Sequence, residues 1–72
     1  MVILKLYKDN AEVFINLETV QRMSFEKKED LRQSDREVKI QFTDGSTGIY
    51  VGHRDTAKAL SSMSVSLDKV EA

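Results

Sequence analysis

The stretch VKIQFTDGSTGIYV, residues 38–51, does most to limit what this chain can fold into. Val38, Ile40 and Phe42 alternate with Lys39 and Gln41, the period-two pattern of a strand with one face in a core. Asp44-Gly45 then breaks the pattern, and Gly45 can take positive φ without steric cost, so TDGS reads as a tight turn. Ile49 and Val51 resume the alternation around Tyr50. The segments 38–42 and 47–52 therefore form an antiparallel hairpin, with Ile49 and Val51 expected on the core face and Tyr50 on the outer face. A lone hairpin is marginal in water and needs more strands or a helix over its apolar side.

The rest of the chain supplies them. VILKLY, residues 2–7, sends Leu4 and Leu6 one way and Ile3, Lys5 and Tyr7 the other. Lys8-Asp9-Asn10 carries turn chemistry. EVFINL follows, with Val13 and Ile15 on one face and Phe14 on the other, so these segments read as a second hairpin. Asn16-Leu17-Glu18-Thr19 reads as a short turn or one helical turn. QRMSFEK alternates again through Met23 and Phe25. Near the end, Asp55 or Thr56 can cap a helix. Ala57, Leu60 and Met63 follow at helical spacing. Serines at 61, 62, 64 and 66 compete for backbone hydrogen bonds and weaken its continuation. Residues 64–72 are left open between helix, a strand at Val65-Ser66-Leu67, and neither. The expected fold is α+β: one domain over residues 1–72, with a single antiparallel sheet of four to five strands and a C-terminal helix on one face.

EKKEDLRQSDRE, residues 26–37, interrupts this pattern with one apolar residue, Leu31. A helix in a small domain is held by an apolar face, and Leu31 alone is no such face. The stretch is expected to be a solvated loop between the strands ending near Phe25 and beginning at Val38. Connections this long are uncommon and are often functional or mobile. The bland reading is a soluble insertion. The sharper one is a recognition loop in which Arg32 and Arg36 reach a partner's carboxylates or phosphates.

Composition narrows the function classes. Hydrophobic residues are 40% and charged residues 32%, which places the chain among globular proteins rather than disordered ones. At 72 residues a monomer buries little surface, and such domains often gain support from disulfides, a metal or a second subunit. The chain has no Cys and one His, so self-association is the expected support. A net charge of −1 gives no bulk attraction to nucleic acid or an anionic membrane. Lys5 and Lys8 break the opening apolar run, so neither a secretory leader nor a membrane span is read there. The expected setting is the cytoplasm.

Few residues suggest chemistry. His53-Arg54-Asp55 echoes the kinase catalytic-loop triplet without its downstream Asn, and His53 is read as a surface histidine. Gly45, Gly48 and Gly52 lack the Gly-Lys-Ser/Thr ending of a phosphate loop and are read as turn, strand edge and strand exit. The acids show no metal-binding spacing. No catalytic, metal or cofactor site is expected, and the chain is read as a non-enzyme. The expected outer face carries Ile3, Tyr7, Phe14 and Tyr50, an apolar patch that a sheet tends to bury on another molecule. Tyr7, Phe14 and Tyr50 are the expected anchors for a protein partner, with Arg32 and Arg36 setting specificity. The competing class is a single-stranded nucleic-acid binder, stacking bases on these aromatics among Lys5, Arg22 and Lys39. The acidic pI works against it.

The order VFINLETVQRM, VKIQFTDGSTGIYV, HRDTAKALSSM resembles the small FlbD-type flagellar proteins. Ile15-Asn16-Leu17 stands at that family's apolar-Asn stretch, and Asp44-Gly45 at its Gly-containing turn. Leu17 replaces the family's usual Pro, and residues 26–37 replace a short link. The resemblance implies a small non-enzymatic accessory protein and carries no binding residue over. The sequence thus points to a protein–protein interaction or regulatory factor that self-associates. A phage-encoded modulator of a host protein fits its size and chemistry equally well.

Overall fold

A computed structural model of the protein describes residues 2–62 and 67–70. Five antiparallel strands form one sheet: β1 (Ile3–Lys8), β2 (Ala11–Asn16), β3 (Val20–Glu26), β4 (Asp35–Phe42) and β5 (Thr47–His53). Helix α1 (Arg54–Ser62) follows β5 directly. A two-residue strand, β6 (Lys69–Val70), adds to β3 in parallel, so the order across the sheet is β2-β1-β5-β4-β3-β6. The α+β architecture is as the alternation indicates, and part of the open C-terminal tail becomes this sixth strand. Met63, expected beside Leu60, and the strand option at Val65-Ser66 lie outside the described residues. Among the described residues, no helix is long and apolar enough to cross a membrane.

The two hairpins use different turns. Asp9 and Asn10 both take positive φ, 53° and 65°, which makes the two-residue turn whose twist suits a hairpin. At residues 43–46 only Gly45 has positive φ, at 91°. A two-residue Asp-Gly turn needs positive φ at both positions and would set Thr43 opposite Ser46. The chain instead makes a three-residue loop, with Gly45 N–H donating to Phe42 O at 2.9 Å and Phe42 N–H to Ser46 O at 2.8 Å. Asp44 Oδ1 accepts from Ser46 N–H at 2.9 Å and from Ser46 Oγ at 2.6 Å, which holds the loop in this form. The pairs become Val38 with Tyr50, Lys39 with Ile49 and Glu37 with Val51.

This corrects the reading of β5. A one-residue change of register exchanges the faces of a strand. Tyr50 lies on the core face, half-buried, and Ile49 and Val51 lie on the outer face. The other strands keep their expected faces: Leu4, Leu6, Ile15, Met23, Phe25, Val38 and Ile40 form the core with Ala57 and Leu60 of α1. Val13 and Phe42 pack on its margin with Tyr50 and Leu67.

Helix α1 begins two residues earlier than the Thr56 start that the sequence suggests. Strand β5 passes into it without a loop, so His53 rather than Asp55 or Thr56 supplies the cap: its Nδ1 accepts Asp55 N–H at 3.0 Å. At the other helical turn, Leu17–Thr19 forms a 3-10 turn in which Asn16 Oδ1 accepts Glu18 N–H at 3.0 Å.

Gly52 lets the sheet close on its core. A Cβ there would lie 2.9 Å from Leu6 Cδ2, 3.1 Å from Val38 Cγ2 and 3.2 Å from Phe25 Cε2. All three side chains are fully buried and have little room to move. Gly52→Ala is expected to lower the unfolding free energy by about 1–3 kcal/mol in urea titration, the usual cost of overpacking. The turn adds a pH effect. Hydrogen bonds from Ser46 hold the Asp44 carboxyl below its ordinary value. A carboxylate with a lowered folded pKa stabilises the fold above its unfolded pKa, and that stabilisation disappears as pH falls through the folded value. On acidification from about pH 7 to about pH 2.5, Asp44→Asn is therefore expected to lose less stability than the wild type, by denaturant titration at each pH.

Candidate interaction surface

The sheet has one face under α1 and one face open. On the open face the register sets Glu12, Tyr7, Val51, Glu37 and Glu26 side by side in a row across β2, β1, β5, β4 and β3. Phe14 is opposite Lys5, and Ile3 is opposite Asn16. The large apolar side chains here are well exposed: Phe14 at 64%, Ile49 at 56%, Ile3 at 50% and Tyr7 at 39%. The Lys5 ammonium lies 5.9 Å from the Tyr7 ring centroid, within cation–π range.

The five residues expected to meet a partner are split by the fold. Tyr7 and Phe14 share the open face, as the alternation of β1 and β2 requires. Tyr50 does not join them. Its ring covers Gly48, where a Cβ would lie 2.7 Å away, and the Lys8 ammonium sits 5.2 Å from its centroid. Ile49 takes its place outside, a residue that the expected turn had placed in the core. Arg32 is exposed in the loop.

Arg36 is the larger correction, for it is only 1% exposed. It stands on the core face of β4, two residues before Val38, because β4 begins at Asp35 and not at Val38. Its Nη1 donates to Gln33 O at 2.6 Å and to Asp35 O at 2.8 Å. The guanidinium thus ties the loop to the core, and it does not reach outward. The signal was present in the sequence: Arg36, Val38, Ile40 and Phe42 share one period-two phase. Charge hid it, since Arg is rarely buried unless partnered.

The charged stretch therefore divides. Residues 27–34 form the connection, and Asp35–Glu37 belong to the sheet. Two backbone bonds fold the connection tightly: Leu31 N–H to Lys28 O at 3.2 Å and Asp35 N–H to Arg32 O at 2.9 Å. Ser34 O accepts Arg54 N–H at 2.9 Å and joins it to the start of α1. Leu31 is half-buried and lines a shallow depression on the open face with Tyr7, Val51 and His53.

Several charges on the open face are paired. Arg22 Nε lies 3.0 Å from Asp68 Oδ2, and Lys39 Nζ lies 4.0 Å from Glu37 Oε1. Lys28 Nζ lies 3.3 Å from Glu26 Oε2 and 3.9 Å from Glu37 Oε1. Beside the Arg22–Asp68 pair a shallow groove crosses β3, β4 and β5, lined by Ser24, Lys39, Gln41, Thr47 and Ile49 among others. His53 Nδ1 is occupied as an acceptor in the helix cap and lies 3.4 Å from Asp55 Oδ2. Among the described residues, no cluster of three or more His, Asp or Glu could hold a metal ion.

Compared with protein-family models, with characterised proteins and with solved structures, this chain matches none.

The two arginines of the charged run should separate in stability. Arg36→Ala removes a buried stem and leaves carbonyls of Gln33 and Asp35 without their charged donor. It is expected to cost about 2–4 kcal/mol. Arg32→Ala should stay within about 0.5 kcal/mol of wild type. Denaturant midpoints of the two variants, measured side by side, check the assignment.

Proposed function

We propose that this protein is a small, non-enzymatic interaction factor of the cytoplasm. It self-associates and contacts a partner protein through the open sheet face. The observation that carries the reading is the exposed apolar group of Ile3, Tyr7, Phe14 and Ile49 on one side of a sheet whose other side is filled by α1. Contiguous apolar surface rimmed by charge is characteristic of protein contacts. Tyr7 and Phe14 are the aromatic anchors, and Ile49 extends them towards β4. The resemblance to FlbD-type accessory proteins points the same way.

Single-stranded nucleic acid is the second reading, since Lys5, Arg22 and Lys39 share this face with Tyr7 and Phe14. The ion pairs of Arg22 and Lys39 weigh against it, because phosphates would have to displace Asp68 and Glu37. With Tyr50 on the core face, one of the expected stacking platforms is also gone.

A variant that changes the face without touching the core separates these readings. Ile49→Glu is expected to fold as the wild type does and to abolish partner capture from cell extract, by at least about tenfold in retained protein. Capture by the wild type should survive high salt. Retention that collapses with salt, together with tight binding of a labelled single-stranded oligonucleotide, would favour the nucleic-acid reading instead.

A further inference from the structure

The two lateral edges of the sheet are treated differently. On one side β3 is followed by β6, and Asp68 N–H donates to Met23 O at 2.8 Å. On the other side, among the described residues, β2 ends the sheet over its whole length, Ala11–Asn16. Proteins usually guard such an edge with Lys, Pro or a bulge, because its free N–H and C=O groups invite another strand. β2 contains no Lys, Arg or Pro, and its register with β1 runs without a shift.

The phase of the edge is fixed by the β1–β2 pairing. Leu17 N–H donates to Val2 O at 3.0 Å. In an antiparallel ladder bonded and non-bonded pairs alternate, so Ile15, Val13 and Ala11 also turn their backbone groups towards β1. Glu12, Phe14 and Asn16 turn theirs to the free edge. We propose that a second copy of this chain docks there, β2 against β2, antiparallel and centred on Phe14.

The choice of occupant follows from self-complementarity. In this register Phe14 faces Phe14 of the other copy, and Glu12 faces Asn16. The two Phe14 residues exchange both of their backbone bonds, and each Glu12 C=O accepts Asn16 N–H of the other copy. Asn16 O is engaged by the 3-10 turn that it caps and by Thr19 Oγ1 at 2.7 Å, so Asn16 offers its N–H to the new ladder. Sliding by one pair sets Asn16 opposite Asn10 in one direction and Glu12 opposite Glu18 in the other, and in both Phe14 loses the apolar contact with its own copy. No like charges meet, since Glu12 is opposite an amide. On the core side Val13 faces Ile15. The most exposed of the large apolar side chains, Phe14, is buried at the two-fold axis. The inference rests on the self-association named above and gives it a site; it assigns Phe14 to the contact between copies and leaves Tyr7 and Ile49 for the partner.

The test uses light scattering together with single cysteines, which this Cys-free chain allows without background. The wild type should have a dimer mass at moderate concentration. Across the axis the two Phe14 Cα atoms would lie about 5.5 Å apart, within disulfide reach. Phe14→Cys should therefore cross-link on mild oxidation, and Ile49→Cys should not. Phe14→Glu sets two carboxylates opposite one another across the axis, while within the chain it faces Lys5 and leaves the β1 pairing intact. It should remain folded by circular dichroism and raise the dimer dissociation constant by at least about tenfold. A wild type that is monomeric throughout overturns both the site and the self-association. A dimer that cross-links through Ile49→Cys but not Phe14→Cys overturns the site alone.

Discussion

The allocation of residues to the two sheet faces depends on the loop between β4 and β5. Asp44 accepts two hydrogen bonds from Ser46 and leaves Gly45 as the one residue with positive φ. That geometry makes a three-residue connection and pairs Val38 with Tyr50. With a two-residue connection Ile40 would face Ile49, and every side chain of β5 would change sides. The core would then have to hold Ile49, Val51 and His53 where Gly48, Tyr50 and Gly52 now stand.

Those glycines explain why the observed register is the one that packs. On the core face β5 presents Gly48, Tyr50 and Gly52, small–large–small, opposite Ile40, Val38 and Arg36. Gly52 admits Leu6, Val38 and Phe25 to close range, and Gly48 leaves space for the Tyr50 ring. The Arg36 side chain, opposite Gly52, is fully buried and reaches back to the carbonyls of Gln33 and Asp35. One buried cation thereby fixes the end of the loop at the same level of the sheet where Ser34 meets the start of α1. The turn, the glycines and the arginine act together, although they lie far apart in the chain.

Much of this fold could be read from alternation alone. β1 to β4 keep the faces that their apolar residues indicate, and α1 buries Ala57 and Leu60 as helical spacing requires. Alternation could not place β5, because Ile49, Tyr50 and Val51 are consecutive apolar residues and fit either phase. The turn decides between them, and Asp-Gly suits both a two-residue and a three-residue connection. The candidate surface was legible to the same degree: Tyr7 and Phe14 follow from strand phase, whereas Tyr50 and Ile49 exchange places with the register. Arg36 was obscured by its neighbours, since a run of charge suggests solvent even where its period matches the strand beyond it. β6 was beyond reach for a different reason. Two residues carry no period, and their pairing to β3 is set by where the chain returns after the helix.

Under the proposed function, apolar contact rather than charge governs what the open face binds. Most of the cations that could attract phosphate have acidic neighbours: Arg22 has Asp68, Lys28 and Lys39 lie near Glu37, and Lys5 lies over the Tyr7 ring instead. Surface pairs of this kind contribute little to stability, but they cancel the local field that would steer a polyanion. Ile3, Phe14 and Ile49 remain half or more exposed, and no charge compensates for that. Bringing them out of water yields free energy in proportion to the area covered and independent of salt. On the proposed reading, a surface built this way selects for shape and apolarity in a partner, and its ion pairs weaken the attraction of a polyanion.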